Sequence, residues 1–164
     1  MSGTSRLSWA AAVLLFIMIS LPLSALDVGD QAPPFVLTDL SRNYVFSRDI
    51  YGVGWVLVDF YATWCEACNE ELPYLEDLSA RRGGEDFQIV IMATDKEGAG
   101  TVKPFFEARP TPLLILLDRF QKSVESFGVT ELPTVFLIDP QGIIAYRRSG
   151  FHEGLIEEIE AVIQ

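Results

Sequence analysis

Residues 55–68 read Trp55-Val56-Leu57-Val58-Asp59-Phe60-Tyr61-Ala62-Thr63-Trp64-Cys65-Glu66-Ala67-Cys68. The run from Trp55 to Ala62 is almost continuously apolar, the pattern of a central strand covered on both faces. Residues 65–82 then place Leu72, Leu75 and Leu78 on one stripe, which is helical spacing. The two cysteines therefore stand where a buried strand turns into a helix. Free amide N–H groups and the positive end of the helix dipole stabilise a thiolate there. Lowering a thiol pKa from about 8.5 to about 7 raises the thiolate fraction at pH 7 from roughly 3% to half. Cys65, nearer the helix end, is expected to attack, and Cys68, one turn further in, to resolve the mixed disulfide.

Other uses of the pair fit less well. A Cys-x-x-Cys bridge closes a tiny loop and restrains the unfolded chain little, so stability is a poor reason for it. A structural zinc site needs four ligands, but the chain has two cysteines and a single histidine, His152. No metal is expected, and no organic cofactor, because dithiol chemistry resides in the side chains. An inert disulfide is the remaining structural alternative. His152 opens the last predicted helix, where it reads as a capping or surface residue rather than a catalytic base.

Outward from this stretch, residues 35–37 and 44–46 flank a polar turn at 39–43 and read as a hairpin. Pro73 is expected to kink the helix after Cys65, and Gly83-Gly84 to end it. Strands follow at 87–93, 113–117, 134–138 and 143–148. Helices are expected at 101–108, with Pro104 in the first turn, at 123–127, and at 153–163. The fold class is thus α/β: a mixed β-sheet flanked by helices on both faces, with an N-terminal β-hairpin extension.

The first 26 residues differ in kind. Arg6 is their only charged side chain, and the apolar run that follows ends at Pro22, Ser24 and Ala25. This reads either as a cleaved signal peptide or as an N-terminal membrane anchor. Leu23 fits poorly before a cut after Ala25. As a helix, residues 9–26 would span roughly 27 Å, marginal for a bilayer core of about 30 Å. Both readings place a single domain, residues 27–164, outside the cytoplasm. The chain carries 23 acidic and 12 basic side chains, a net charge of −11. Such a surface repels nucleic acid, which is excluded as a partner class.

The segment Val58 to Cys68 resembles the active-site strand and turn of thioredoxins. The pattern Cys65-x-x-Cys68-x-x-Glu71-x-Pro73 is similar to the extracytoplasmic TlpA/ResA-like branch. So are Gly128-Val129-Thr130-Glu131-Leu132-Pro133-Thr134, the strand after it, and the opening Gly29-Asp30-Gln31-Ala32-Pro33-Pro34-Phe35. The resemblance covers about residues 28–163 and implies a thioredoxin-like fold. It makes Pro133 a cis-proline facing the dithiol, with the Leu132 backbone free to pair with a substrate strand. Asp59 matches the buried acid of thioredoxins and Glu71 an acid of the narrower branch. Either would relay the proton of Cys68. Holding both departs from each simple pattern, so which acid serves the dithiol stays open. Outward-facing positions are the alternatives for these two. Trp64 is either a core aromatic or a shield beside the dithiol. Glu66 and Ala67, between the cysteines, are expected to tune the potential, Ala67 replacing the proline common in thioredoxins.

The expected activity is thiol–disulfide exchange. The leading role is reduction of disulfides in exported proteins, including those of cytochrome c maturation, with a membrane thiol reductase as electron donor. An oxidase or isomerase is the alternative within the same chemistry, and a non-catalytic binding module the alternative outside it.

Overall fold

The computed structural model describes residues 26–84 and 86–163. The segment read as signal peptide or anchor lies outside them, apart from Leu26. Among the described residues no helix is long and apolar enough to cross a membrane.

The elements follow the expected order. A hairpin of β1 (Val36–Asp39) and β2 (Tyr44–Phe46) leads into β3 (Trp55–Tyr61), then α1 (Glu66–Arg82), β4 (Phe87–Ala93) and α2 (Ala99–Ala108). Next come β5 (Leu114–Leu117), α3 (Lys122–Ser126), β6 (Thr134–Ile138), β7 (Ile144–Ser149) and α4 (Leu155–Ile163). The strands form one seven-stranded sheet in the order β2-β1-β5-β4-β3-β6-β7. β3, β4 and β5 are parallel, whereas β6 and β7 return antiparallel and β1 runs antiparallel to β5.

β3 sits centrally because it can. Its side chains from Val56 to Tyr61 are all buried, so neither face needs water. The pleat sends them alternately to two cores. Leu57 and Tyr61 join Leu72, Leu75 and Leu78 of α1, Val102 and Phe106 of α2, and Leu155 and Ile159 of α4. Val56, Val58 and Phe60 face Phe127, Phe136 and the N-terminal residues Ala32, Phe35 and Ile50. Each fully buried leucine or phenylalanine contributes about 1.5–3 kcal/mol over exposure.

Three local expectations shift. α2 begins two residues earlier than the spacing indicates, so Pro104 stands inside the helix rather than in its first turn. α1 continues through Pro73, which removes the N–H that would bond the Asn69 carbonyl. Gly83 caps α1 without left-handed backbone, at φ −58° and ψ 136°. A glycine is needed there because a Cβ would collide with the Ser79 carbonyl oxygen.

Candidate active site

Cys65 is the N-cap of α1, in extended backbone at φ −83° and ψ 112°. Its sulfur accepts a hydrogen bond from the Cys68 N–H at 3.2 Å, in the way a serine or aspartate cap would. Cys65 and Cys68 are joined as a disulfide with Cα atoms 5.2 Å apart. Cys65 keeps 7% of its surface exposed and Cys68 none. On reduction, a thiolate at Cys65 would retain that N–H bond and face the positive end of a helix of 17 residues.

Beneath the dithiol lie two acids. Asp59 shares the sheet face of Leu57 and Tyr61, toward α1, and is wholly buried. Glu71 follows Cys68 by three positions, on the same face of α1, and is 1% exposed. The outward-facing alternatives are therefore excluded for both. Neither oxygen of Asp59 has a hydrogen-bond partner, nor has Oε1 of Glu71. Burial holds both carboxyls well above the ordinary carboxylate range, and the Glu71 charge raises Asp59 further. Glu71 is pushed up to about 8. Such groups hold a proton more readily than an ordinary carboxylate and can exchange one near neutral pH.

The peptide bond between Leu132 and Pro133 is cis. Thr134 pairs with Phe60 across β6 and β3. Continuing that antiparallel register sets Pro133 opposite Tyr61 and Leu132 opposite Ala62, three residues before Cys65. Leu132 packs on the cluster that contains both cysteines. Pro133 is buried, and its carbonyl accepts the Gly150 N–H at 2.8 Å. Trp64 is 73% exposed, which rules out the core reading and leaves a surface ring next to Cys65. Glu66 is exposed and Ala67 half-buried. His152 accepts the Gly154 N–H on Nδ1 just before α4, a local capping contact.

Sequence reasoning missed the groups that hold the turn. The Asn69 amide donates to the Thr63 carbonyl at 3.1 Å and the Cys65 carbonyl at 2.9 Å, while accepting the Tyr61 hydroxyl. Asp95, buried just after β4, accepts the hydroxyl and the N–H of Thr63. The signals were a polar residue one turn after Cys65, and an acid at the carboxyl end of a parallel strand. Known proteins resemble this chain over most of its length. The AhpC/TSA family matches residues 28–147. The thiol-disulfide oxidoreductase ResA of Bacillus anthracis is 31% identical over 139 residues, 85% of this chain and 78% of that one.

The chain belongs to the AhpC/TSA family, and its relatives of the ResA type make it a thiol-disulfide oxidoreductase.

Solved structures agree on the fold. A Chlorobium tepidum protein assigned as thiol:disulfide interchange protein DsbE superposes with a TM-score of 0.77 at 30% identity, covering 84% of this chain and 96% of its own. The thioredoxin domain of a Bacteroides vulgatus thiol-disulfide oxidoreductase gives 0.75 at 27%, covering 85% and 99%. In this chain the two cysteines, joined as a disulfide, stand at the junction of β3 and α1.

Proposed function

We propose that the protein works outside the cytoplasm as a reductant of disulfides in exported proteins, those of cytochrome c maturation among them. The observation that carries this reading is the asymmetry of the pair: a cap sulfur at the surface, a buried partner sulfur, and two buried acids below. In the proposed cycle the Cys65 thiolate attacks a substrate disulfide, and one substrate sulfur leaves as a thiolate that takes a proton from water. Cys68 then attacks Cys65, releases the second substrate thiol, and closes the internal disulfide. Glu71 or Asp59, in its ionised form, takes up the Cys68 proton in a site closed to water and gives it to the departing substrate thiolate. The Leu132 backbone and the Trp64 ring flank an extended substrate segment. Electrons return from a membrane thiol reductase, and the first 26 residues direct export or anchor the domain.

The direction of flow follows from charge. Glu66 opposes the thiolate that the helix end favours, and its exposure weakens that effect. A less favoured thiolate makes the dithiol form costlier and the disulfide harder to reduce. The expected potential lies nearer thioredoxin, at about −270 mV, than the strong oxidant DsbA, at about −120 mV. Equilibration against glutathione of known poise measures it. A value above about −180 mV would assign the protein to disulfide formation or isomerisation instead.

A further inference from the structure

A second concave feature shares the sheet edge that carries the dithiol. β3, β4 and β5 run parallel, so their carboxyl ends at Tyr61, Ala93 and Leu117 lie along one edge. Beyond β5 and beside β1 is a cavity of about 540 Å³. Its floor takes Thr38 and Leu117, cross-strand partners on one face of the sheet, and its walls carry Val36, Tyr44 and Phe120. These three are among the seven large hydrophobic side chains exposed in the described residues, at 55%, 73% and 78%. Phe120 stacks under the Arg119 guanidinium at 5.5 Å, and Arg42 and Lys122 complete a cationic rim.

Cations outnumber acids in this lining by three to one. The lining contains one acid, Asp118, and its carboxylate is occupied by the N–H groups of Lys122, Ser123 and Val124. Lys122 reaches Glu125 at 3.2 Å, but both are exposed and such a pair contributes little. Three cations thus gather at one apolar groove on a chain of net charge −11. At physiological ionic strength the Debye length is about 8 Å, so a ligand in the groove senses these cations more than the distant acids.

The groove also connects to the dithiol. β3 and β5 are separated only by β4, about 10 Å at ordinary strand spacing. Gly98, which lines the groove, donates its N–H to the Asp95 carbonyl at 2.9 Å, and the Asp95 side chain holds Thr63. We infer that this groove docks an acidic polypeptide segment with aromatic or leucine anchors, carried by a partner of the oxidoreductase. Apolar anchors would fill the space between Tyr44 and Phe120, and carboxylates would meet Arg42, Arg119 and Lys122. Docking there would hold the partner's disulfide or dithiol near Cys65, a consequence that rests on the function proposed above.

The probe is a blocked, cysteine-free peptide of glutamates alternating with phenylalanine and leucine, beside its lysine-for-glutamate counterpart. Fluorescence anisotropy with the folded domain should show binding of the acidic peptide only. Joint Arg42→Glu and Lys122→Glu substitution should weaken it about tenfold. Phe120→Ala, at an exposed position that leaves folding intact, should weaken it as well. Raising ionic strength from about 0.1 to about 1 M, which cuts the Debye length from about 10 to about 3 Å, should do the same. Turnover of glutathione disulfide should stay at the wild-type rate in these variants. Equal binding of both peptides, or unchanged binding by the charge-reversed variant, would overturn the inference. So would a dimer in sedimentation that Phe120→Ala dissolves, since the groove would then belong to a second copy. Failure to turn over glutathione disulfide would instead count against the proposed function, because peptide binding does not involve the cysteines.

Discussion

Cys65 and Cys68 have the same chemistry and different surroundings. The first sulfur caps a helix at the surface, and the second is sealed in the core. Alkylation of the reduced protein, followed by mass spectrometry, should therefore label Cys65 well before Cys68. Faster labelling of Cys68 would reverse their roles. The acids beneath make a different prediction. Glu71 ordinarily ionises near 4.5 and is pushed up to about 8 by burial, so in this range the folded state holds a proton that the unfolded state releases. Its contribution to stability is full below the unfolded value and is lost as pH rises through the folded one. The slope is at most about 1.4 kcal/mol per pH unit for one group. Glu71→Gln, which never ionises, should flatten the fall in melting temperature between these two values. The same variant, or Asp59→Asn, should slow dithiol exchange near neutral pH. Wild-type exchange rates in both variants would remove the acids from the cycle. The nearly continuous apolar run of β3 made a buried Asp59 legible beforehand. That Glu71 faces the same interior was not, because a helix with leucines at three turns still offers positions on either side of the stripe.

At the scale of elements, the turn between β3 and α1 owes its shape to Asn69. Three side-chain hydrogen bonds converge on this residue, tying the end of the strand to the first turn of the helix. Asn69→Ala would leave the buried Tyr61 hydroxyl and the Thr63 carbonyl short of a partner, while the Cys65 carbonyl would keep only the backbone N–H of residue 69. A loss of about 1–3 kcal/mol is expected by urea unfolding. The same variant should broaden the alkylation kinetics of Cys65, because its carbonyl would lose one of the two bonds that hold it. No measurable change in either would mean that the Cys65 cap and α1 suffice to shape the turn. The strand and helix were readable from periodicity, since apolar spacing is a local property. The Asn69 bonds and the Thr63 to Asp95 contact were not, because they depend on how two parallel strands end side by side. The early start of α2 escaped for a related reason. Gly98 adopts φ 62° and opens the helix without a side-chain cap, so no capping residue marked the boundary.

For the whole molecule, the disulfide adds little to a fold built on two cores. Closing a loop of this size restrains the unfolded chain by about 2 kcal/mol in the loop-entropy view, against a usual domain stability of about 5–15 kcal/mol. The Cys65→Ala/Cys68→Ala double variant should therefore unfold cooperatively in urea and keep its far-ultraviolet circular dichroism. Collapse of the fold would identify the bridge as a structural staple and weaken its reading as a redox pair. The sequence alone determined the order of elements, the position of the redox pair between strand and helix, and the acidic surface. These follow from hydrophobic period, turn chemistry and residue counts, all of which are local or additive. Only the tertiary structure decided that Asp59 and Glu71 face one interior, that Trp64 stands in water, and that cations from β-hairpin, loop and α3 meet at one groove. Each of these depends on residues distant in the chain becoming neighbours, and burial in a folded protein is set by those neighbours rather than by the residue itself.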